Sequence, residues 1–445
     1  MSNIIIPFRG NLLQSLGSPF KMTVDTTQPG SASDTFVLTL LNTANNFIVD
    51  WGDGNSETVT TVTSVSHTYT VGGIYQISLT DGFSGIRFGN GNDKLKLSSI
   101  DQWGTNQWQG MNSAFHGCTN MVGTYTDFPD TSIVTLMDFM FASCSNFNSS
   151  VNFDTSNVTD MTAMFDRCLA FDQPINFDTS SVTSMFRMFE YCFVFNSSVT
   201  FSDTSNVLDM QEMFRSCLAF DQPISLNTSS VTDMSFMFRD CNVFNQPINF
   251  DTASVLDMRQ MFWDCSLFNS SVTFSDTSNV TTMNQMFYAC LAFNKPINFN
   301  CLSVLDMYRM FRSCLAMNSS ITLSNTSSVT TMQEAFAYCY ALNQPISLNT
   351  SSVLNMNQMF RSCFVFDQDV SGFDISVLTD ATSMFLLSGF TQINYDLLLP
   401  AWDAYATSNV PFHAGTAQYN CPIPSDAHDN MTSRGWTITD GGIIP

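Results

Sequence analysis

The chain has 445 residues, of which 44% are hydrophobic and only 12% charged, with 38 acidic against 15 basic side chains and a formal net charge of −23. So strong an acidic excess argues against partners whose phosphates demand Lys and Arg, so neither nucleic acid nor an anionic membrane surface is expected. No run of 18 apolar residues occurs, so no membrane insertion by a transmembrane helix is expected. Glu occurs only at Glu57, Glu190, Glu212 and Glu334. Asp suits turns and caps, whereas Glu and Lys dress long exposed helices, so short elements joined by many turns are expected.

In chain order, residues 1–19 form an N-terminal segment. Met1-Ser-Asn-Ile-Ile-Ile-Pro-Phe-Arg9 has no basic stretch followed by an apolar core long enough for a signal peptide. Residues 20–92 carry alternating stretches such as Thr35-Phe-Val-Leu-Thr-Leu40 and Phe47-Ile-Val-Asp50, which read as strands. Asp50-Trp-Gly-Asp-Gly-Asn55, His67-Thr-Tyr69 and Gly73-Ile-Tyr-Gln-Ile-Ser-Leu79 follow in order. These three blocks resemble the PKD family, which implies a small all-β, Ig-like sandwich over 20–92. Asp50 and Asp53 look like part of a calcium loop but lack its full oxygen set and its distal Glu, so turn structure is expected there. Residues 93–117 are read as a connector or N-terminal cap.

A repeat begins at Cys118. Cysteines recur at 144, 168, 192, 217, 241, 265, 290, 314, 339 and 363, spaced by 24 to 26 residues. A fixed period in this range marks a solenoid whose units stack to share one core. Within Val158–Phe177, the spacing of Met161, Met164 and Cys168 predicts two turns of α or 3₁₀ helix, with Thr159 or Asp160 as its N-cap. Pro174-Ile-Asn-Phe177 predicts a strand that Pro can only open. The aromatic of each unit returns from Phe141 to Phe385, usually with Met before it, which accounts for 41 Phe and 26 Met as core columns. The cysteines are read as reduced core thiols because their spacing follows the coil and their number, 13, is odd. Cys301, in a turn position, is expected to be the exposed thiol of the repeats.

The unit Met-Phe-x-x-Cys-x-x-Phe-(Asn/Asp)-Gln-Pro-Ile-x-(Phe/Leu)-x-Thr-Ser-x-Val-Thr-x-Met resembles the BspA-like leucine-rich-repeat surface proteins across roughly residues 110 to 388. That resemblance implies a mixed α/β, right-handed, leucine-rich-repeat-like solenoid, with parallel strands on one face, short helices on the other, and a role in adhesion and recognition. The expected solenoid spans 118–388 in about 11–12 coils of 24–25 residues each, and 389–445 is read as a C-terminal cap.

Two faces are candidate binding surfaces. The outward strand position is Asn152, Asn176, Thr200, Ser225, Asn249, Thr273, Asn298, Thr322 and Ser347. Parallel strands would line these up as a polar ribbon on the order of 45 Å long. It is either a solvated face with cross-rung hydrogen bonds or a contact for glycan or protein. The helix face carries Arg215, Arg239, Trp263, Tyr288, Tyr308, Arg312 and Arg361, residue types enriched at interfaces, or simply packed between coils. The recurring Asn or Asp from Asn148 to Asp367 is expected to form a structural ladder. The Asp160, Asp209, Asp233, Asp257 and Asp306 column is read as helix N-caps. No phosphate loop, Gly-x-Ser-x-Gly or His-Glu-x-x-His motif occurs, and His413, Cys421 and His428 fit no common zinc spacing. The sequence therefore reads as non-enzymatic, without cofactor, metal or catalytic residues. It reads as a surface-displayed recognition or adhesion protein, with a phage or virus particle component as the favoured setting and a cellular adhesin or a filament, sheath or capsid subunit as alternatives. Its partner would be a protein or glycan on a cell surface, or neighbouring virion or filament subunits.

Overall fold

The computed structural model describes residues 17–444; most of the expected N-terminal segment lies outside them. The described chain opens with two antiparallel sheets. Strands β1 (Phe20–Asp25), β3 (Asn46–Asp50), β4 (Ser56–Thr60) and β6 (Ile74–Leu79) share one sheet, and β2 (Thr35–Thr39) pairs with β5 (Ser64–Thr68) in the other. Alternation drives the burial: Phe20, Met22 and Val24 of β1 face inward together with Phe36 and Leu38 of β2. The β4-β3-β6-β1 sheet does not stop at residue 92. It continues through β7 (Leu97–Gln102), antiparallel to β1, into the short β8 (Val122–Gly123), parallel to β7. The junction is pinned by the buried Lys96, whose ammonium donates to the carbonyls of Ser31, Ala32 and Thr35 at 2.7–3.1 Å. Beside it Asp93 accepts from the amides of Ser31 and Val37.

From Gln107 onward, with β8 in its first turn, the chain winds into a β-solenoid of about 14 turns. Parallel bridges link Asp160, Ser184, Asp209, Asp233 and Asp257 in succession and continue with the same period to Asp380. Phe141, Phe165, Phe189, Phe214 and their successors stack with ring centroids 5.3–5.8 Å apart. A second column, from Phe147 to Phe293, stacks beside the first. The Met and Cys columns fill the rest of a continuous interior.

The segments expected to be short helices are runs of tight turns. In Met161–Cys168 the amides of Met164, Asp166 and Cys168 donate to carbonyls three residues back, at 3.0–3.2 Å. The alternate amides, of Met161, Ala163, Phe165 and Arg167, donate to the next coil at Ser184, Phe186, Met188 and Glu190. Ala163 and Arg167 have φ of +52° and +58°, the left-handed third residue of a type II turn. The same pair recurs along the solenoid, as at Arg187 and Tyr191 or Gln285 and Ala289, without glycine. Each such residue costs roughly 1–2 kcal/mol, and the amide it turns outward bonds the neighbouring coil in return. Met161, Met164 and Cys168 all point inward at helical spacing, which is why the pattern imitates a helix. Among the described residues the α-helices are α1 (Gln392–Asp403) and α2 (Ile423–Ser433), both beyond the repeats.

The expected parallel strand face is also modified. Its strands pair only in twos: β9 (Ile175–Phe177) with β10 (Val199–Phe201), β11 (Ile248–Phe250) with β12 (Val272–Phe274), and β13 (Ile297–Asn300) with β14 (Ile321–Ser324). In each pair the second coil opens with Ser198, Ser271 or Ser320; the seams before Pro223, Pro247, Pro296 and Pro345 carry no strand pairing. The remaining correction is at the C-terminus. The expected C-terminal cap, 389–445, goes on winding across its described residues, 389–444. Phe412 of β15 (Pro411–His413) bridges Ala381, and β16 (Thr437–Thr439) lies parallel to β15. Helices α1 and α2 bulge from these last turns, so the solenoid exceeds the expected 11–12 coils.

Candidate binding surface

Most polar columns of the solenoid are used to hold coil to coil. Asn148 Oδ1 accepts from the amide of Asp172 at 2.8 Å, Asp172 accepts from Asn196, and the ladder runs without a gap to Asp367, which accepts from Thr391. The buried Thr155, Thr228 and Thr277 each donate a hydroxyl to a carbonyl of the next coil, at 2.8–2.9 Å. Asp160, Asp209, Asp233, Asp257 and Asp306 accept from the amide two residues on, so they cap the turns rather than helices. Each cysteine from Cys144 to Cys363, Cys301 apart, donates its thiol to a Phe carbonyl of the preceding coil, as Cys241 does to Phe214 at 3.0 Å. Cys301 is buried, contrary to its expected exposure. It occupies the inward column filled elsewhere by Thr277 and Thr326, and burial pushes its thiol up to about 12. The exposed thiol is Cys421.

The ribbon differs from all of these. Asn152, Asn176, Thr200, Ser225, Asn249, Thr273, Asn298, Thr322 and Ser347 are all exposed. In the paired coils they stand directly opposite one another, Asn176 to Thr200, Asn249 to Thr273 and Asn298 to Thr322. Among the described residues none of their side chains makes a hydrogen bond within the chain, so cross-rung bonding does not account for them. The ribbon is a file of free amides and hydroxyls, broken into pairs by the unpaired seams.

The residues expected on a helix face lie on the turn face and bind one another. Arg239 sits 4.4 Å over Trp263, Trp263 stacks on Tyr288 at 5.5 Å, and Arg312 lies 5.7 Å over Tyr288 and 5.0 Å over Tyr338. Arg361 also lies over Tyr338, at 5.8 Å, and Tyr308 lies under Arg309. All seven predicted residues are half-buried. Arg215 belongs to a cluster in which Glu212 takes hydrogen bonds from both Arg187 and Arg215, at 3.1 and 2.8 Å, while buried Glu190 receives one at 3.2 Å from Arg215. This face is a cation–aromatic spine that closes the coils. Sequence reasoning missed that Glu190, Glu212 and Glu334 are buried in it; their rarity in the chain was the available signal.

The cluster has a pH signature. Burial and the neighbouring Glu212 raise Glu190 from 4.5 to about 7 despite its arginines, because Glu212 holds the stronger hydrogen bonds. Burial likewise raises Asp166 to about 6. The folded protein keeps these protons where the unfolded chain releases them. Their contribution is therefore complete below pH 4 and falls as pH rises towards 7. Glu190→Gln should remove its share of this decline, so thermal melts across pH 4–8 should show the variant gaining on the parent with rising pH. Parallel melting curves would refute the assignment. Comparing the two proteins cancels the opposite slope of carboxyls held low elsewhere, such as Asp101 and Asp440.

In the N-terminal unit the aspartates of the calcium-like motif are turn residues. Asp50 accepts from the amide of Gly52 and Asp53 from that of Asn55. His67 donates its Nε2–H to Asp53 at 2.8 Å and stacks on Trp51 at 5.1 Å, while Tyr69 donates to the Trp51 carbonyl. Burial opposes the charge on Asp53, but hydrogen bonds from His67 and Asn55 outweigh it and lower the carboxyl to about 2. In the last turns His428 lies beside Asp440, which Tyr395 also contacts. No group of three metal-ligating side chains converges among the described residues, and no helix there is long and apolar enough to cross a membrane.

Stacked coils, shared aromatic columns and internally bonded polar ladders define a repeat protein of the β-solenoid class. The chain belongs to the family described as "Mycoplasma protein of unknown function, DUF285", whose model matches residues 86–200, 175–251, 192–300, 225–322, 248–347 and 305–414. No curated protein and no solved structure matches the chain.

Proposed function

We infer that this is a non-enzymatic, surface-displayed recognition or adhesion protein that meets its partner through the polar ribbon. The single observation carrying this reading is that the ribbon side chains are exposed and unbonded while the other polar columns described hold the coils together. On this reading the repeats are BspA-like, in a right-handed leucine-rich-repeat-like solenoid, and the Trp51, His67 and Tyr69 cluster belongs to a PKD-like adaptor. Twelve buried, unpaired thiols favour assembly in a reducing compartment, which suits a virus or phage particle better than a conventionally exported adhesin.

The test is binding of labelled full-length protein to a panel of intact microbial cells, beside the triple variant Asn249→Lys, Thr273→Lys and Asn298→Lys. Selective binding lost in the variant, with unchanged melting, is the expected result. Binding indifferent to the substitutions would remove the ribbon from the mechanism. No binding, with a large assembly by light scattering, would favour a filament, sheath or capsid subunit.

A further inference from the structure

The ribbon is interrupted at its C-terminal end, as it is around Pro223 and Pro247. Two successive seams, before Pro345 and before Asp369, lack strand pairing, and between them opens a cleft of about 470 Å³. This is within the range of small-molecule sites. Its floor is apolar, built by Ile346, Val370 and Phe373, all buried. Its rim carries the hydroxyls of Thr322, Ser347 and Ser371.

Two residues here depart from the repeat. Asp369 stands in a column that elsewhere holds Ser198, Ser271 and Ser320, or Pro223, Pro296 and Pro345. One of its oxygens accepts from the amide of Ser371 at 2.9 Å, and among the described residues the other has no partner. Gly372 is an insertion between the two inward positions Val370 and Phe373, where other coils have one outward residue, as Asn176 between Ile175 and Phe177. Such an extra residue re-aims the strand, a device found beside binding sites. A Cβ on Gly372 would meet nothing within 4 Å, so the glycine leaves open space rather than relieving a clash. Departures from a repeated pattern are where function is expected.

Resting on the recognition reading above, the geometry points to this cleft as a subsite for a neutral pyranose of a cell-surface glycan. Its free carboxylate oxygen accepts from vicinal sugar hydroxyls, the rim hydroxyls bond others, and Pro345 and Leu348, which line the cleft with apolar surface still open to it, meet the apolar face of the ring. No Lys or Arg lines the cleft, and the chain carries a net charge of −23, so anionic sugars and phosphates are excluded.

Saturation-transfer NMR of the full chain with methyl glucoside, methyl galactoside, methyl mannoside and N-acetylglucosamine, with sialic acid as the anionic control, tests this. At least one neutral pyranoside should receive saturation and sialic acid should not. Asp369→Asn should weaken the interaction by about tenfold, the loss of a charge-assisted hydrogen bond. Gly372→Leu should abolish it while the melting temperature stays unchanged, since its side chain enters open space. Transfer to none of the neutral sugars, transfer unaffected by both variants, or equal transfer to sialic acid would each overturn the assignment. Cell binding by the Gly372→Leu variant separates the two levels. Binding that persists rejects the cleft and leaves the ribbon reading standing, whereas absence of binding by the parent protein rejects that reading itself.

Discussion

Phe238→Ala should destabilise the solenoid by about 3–5 kcal/mol, measured by equilibrium denaturation. Phe238 is fully buried and its ring is sandwiched between Phe214 at 5.8 Å and Phe262 at 5.6 Å, with Phe244 beside it at 4.5 Å. Removing it opens a cavity that cannot collapse, because the flanking coils are fixed by their backbone ladders. Its amide also donates to Met261 in the next coil, and that bond survives the substitution, so the loss reports packing alone. In a solenoid each coil contacts only its neighbours, so the damage should be centred on this coil and could split the unfolding transition. A loss below about 1 kcal/mol would reject the columnar core.

The second large effect concerns thiol chemistry. Without reductant, the native protein should present one rapidly reacting thiol, Cys421, whereas the denatured chain should present all 13. The other thiols are buried, and eleven cysteines carry thiols pushed upward by burial along the repeat column, starting with Cys118 and Cys144. Thiolate is the reactive form, so these groups react only through opening of the solenoid, slower by about 10³–10⁶-fold. Cys421→Ser should abolish the fast phase. More than one fast thiol in the native protein, or fewer than 13 in the denatured one, would overturn the picture of sealed, reduced columns.

The features legible in the sequence were those written in every coil. Phe141, Met164 and Cys168 recur with the period, and recurrence of an apolar residue is evidence that it faces a neighbour like itself. The Asn148–Asp367 ladder was legible for the same reason. The turns were not, because a left-handed residue usually announces itself as glycine, and here Ala163, Arg167 and Tyr191 hold that conformation through bonds to the next coil. Cys301 was misplaced because the polar residues around it hid an inward column of threonines that its own coil does not share. The terminal turns escaped notice because the spacing lengthens to 31 residues between Ala381 and Phe412, where α1 is inserted. For the candidate surface, the exposed ribbon was readable from alternation. Its lack of internal hydrogen bonds was not, nor was the mutual stacking of Arg239, Trp263 and Tyr288, since both depend on side-chain directions that spacing alone does not fix.

The pairing of strands in twos has an evolutionary consequence. Every seam before Pro223, Pro296 or Pro345 joins coils through side-chain and turn ladders that any neighbouring coil can continue, whereas the seam inside a pair also carries a matched sheet register. Duplication or loss at the Pro seams would leave each sheet whole. The gene can therefore change the length of its product in modules of one or two coils, altering how far the protein reaches without redesigning its core.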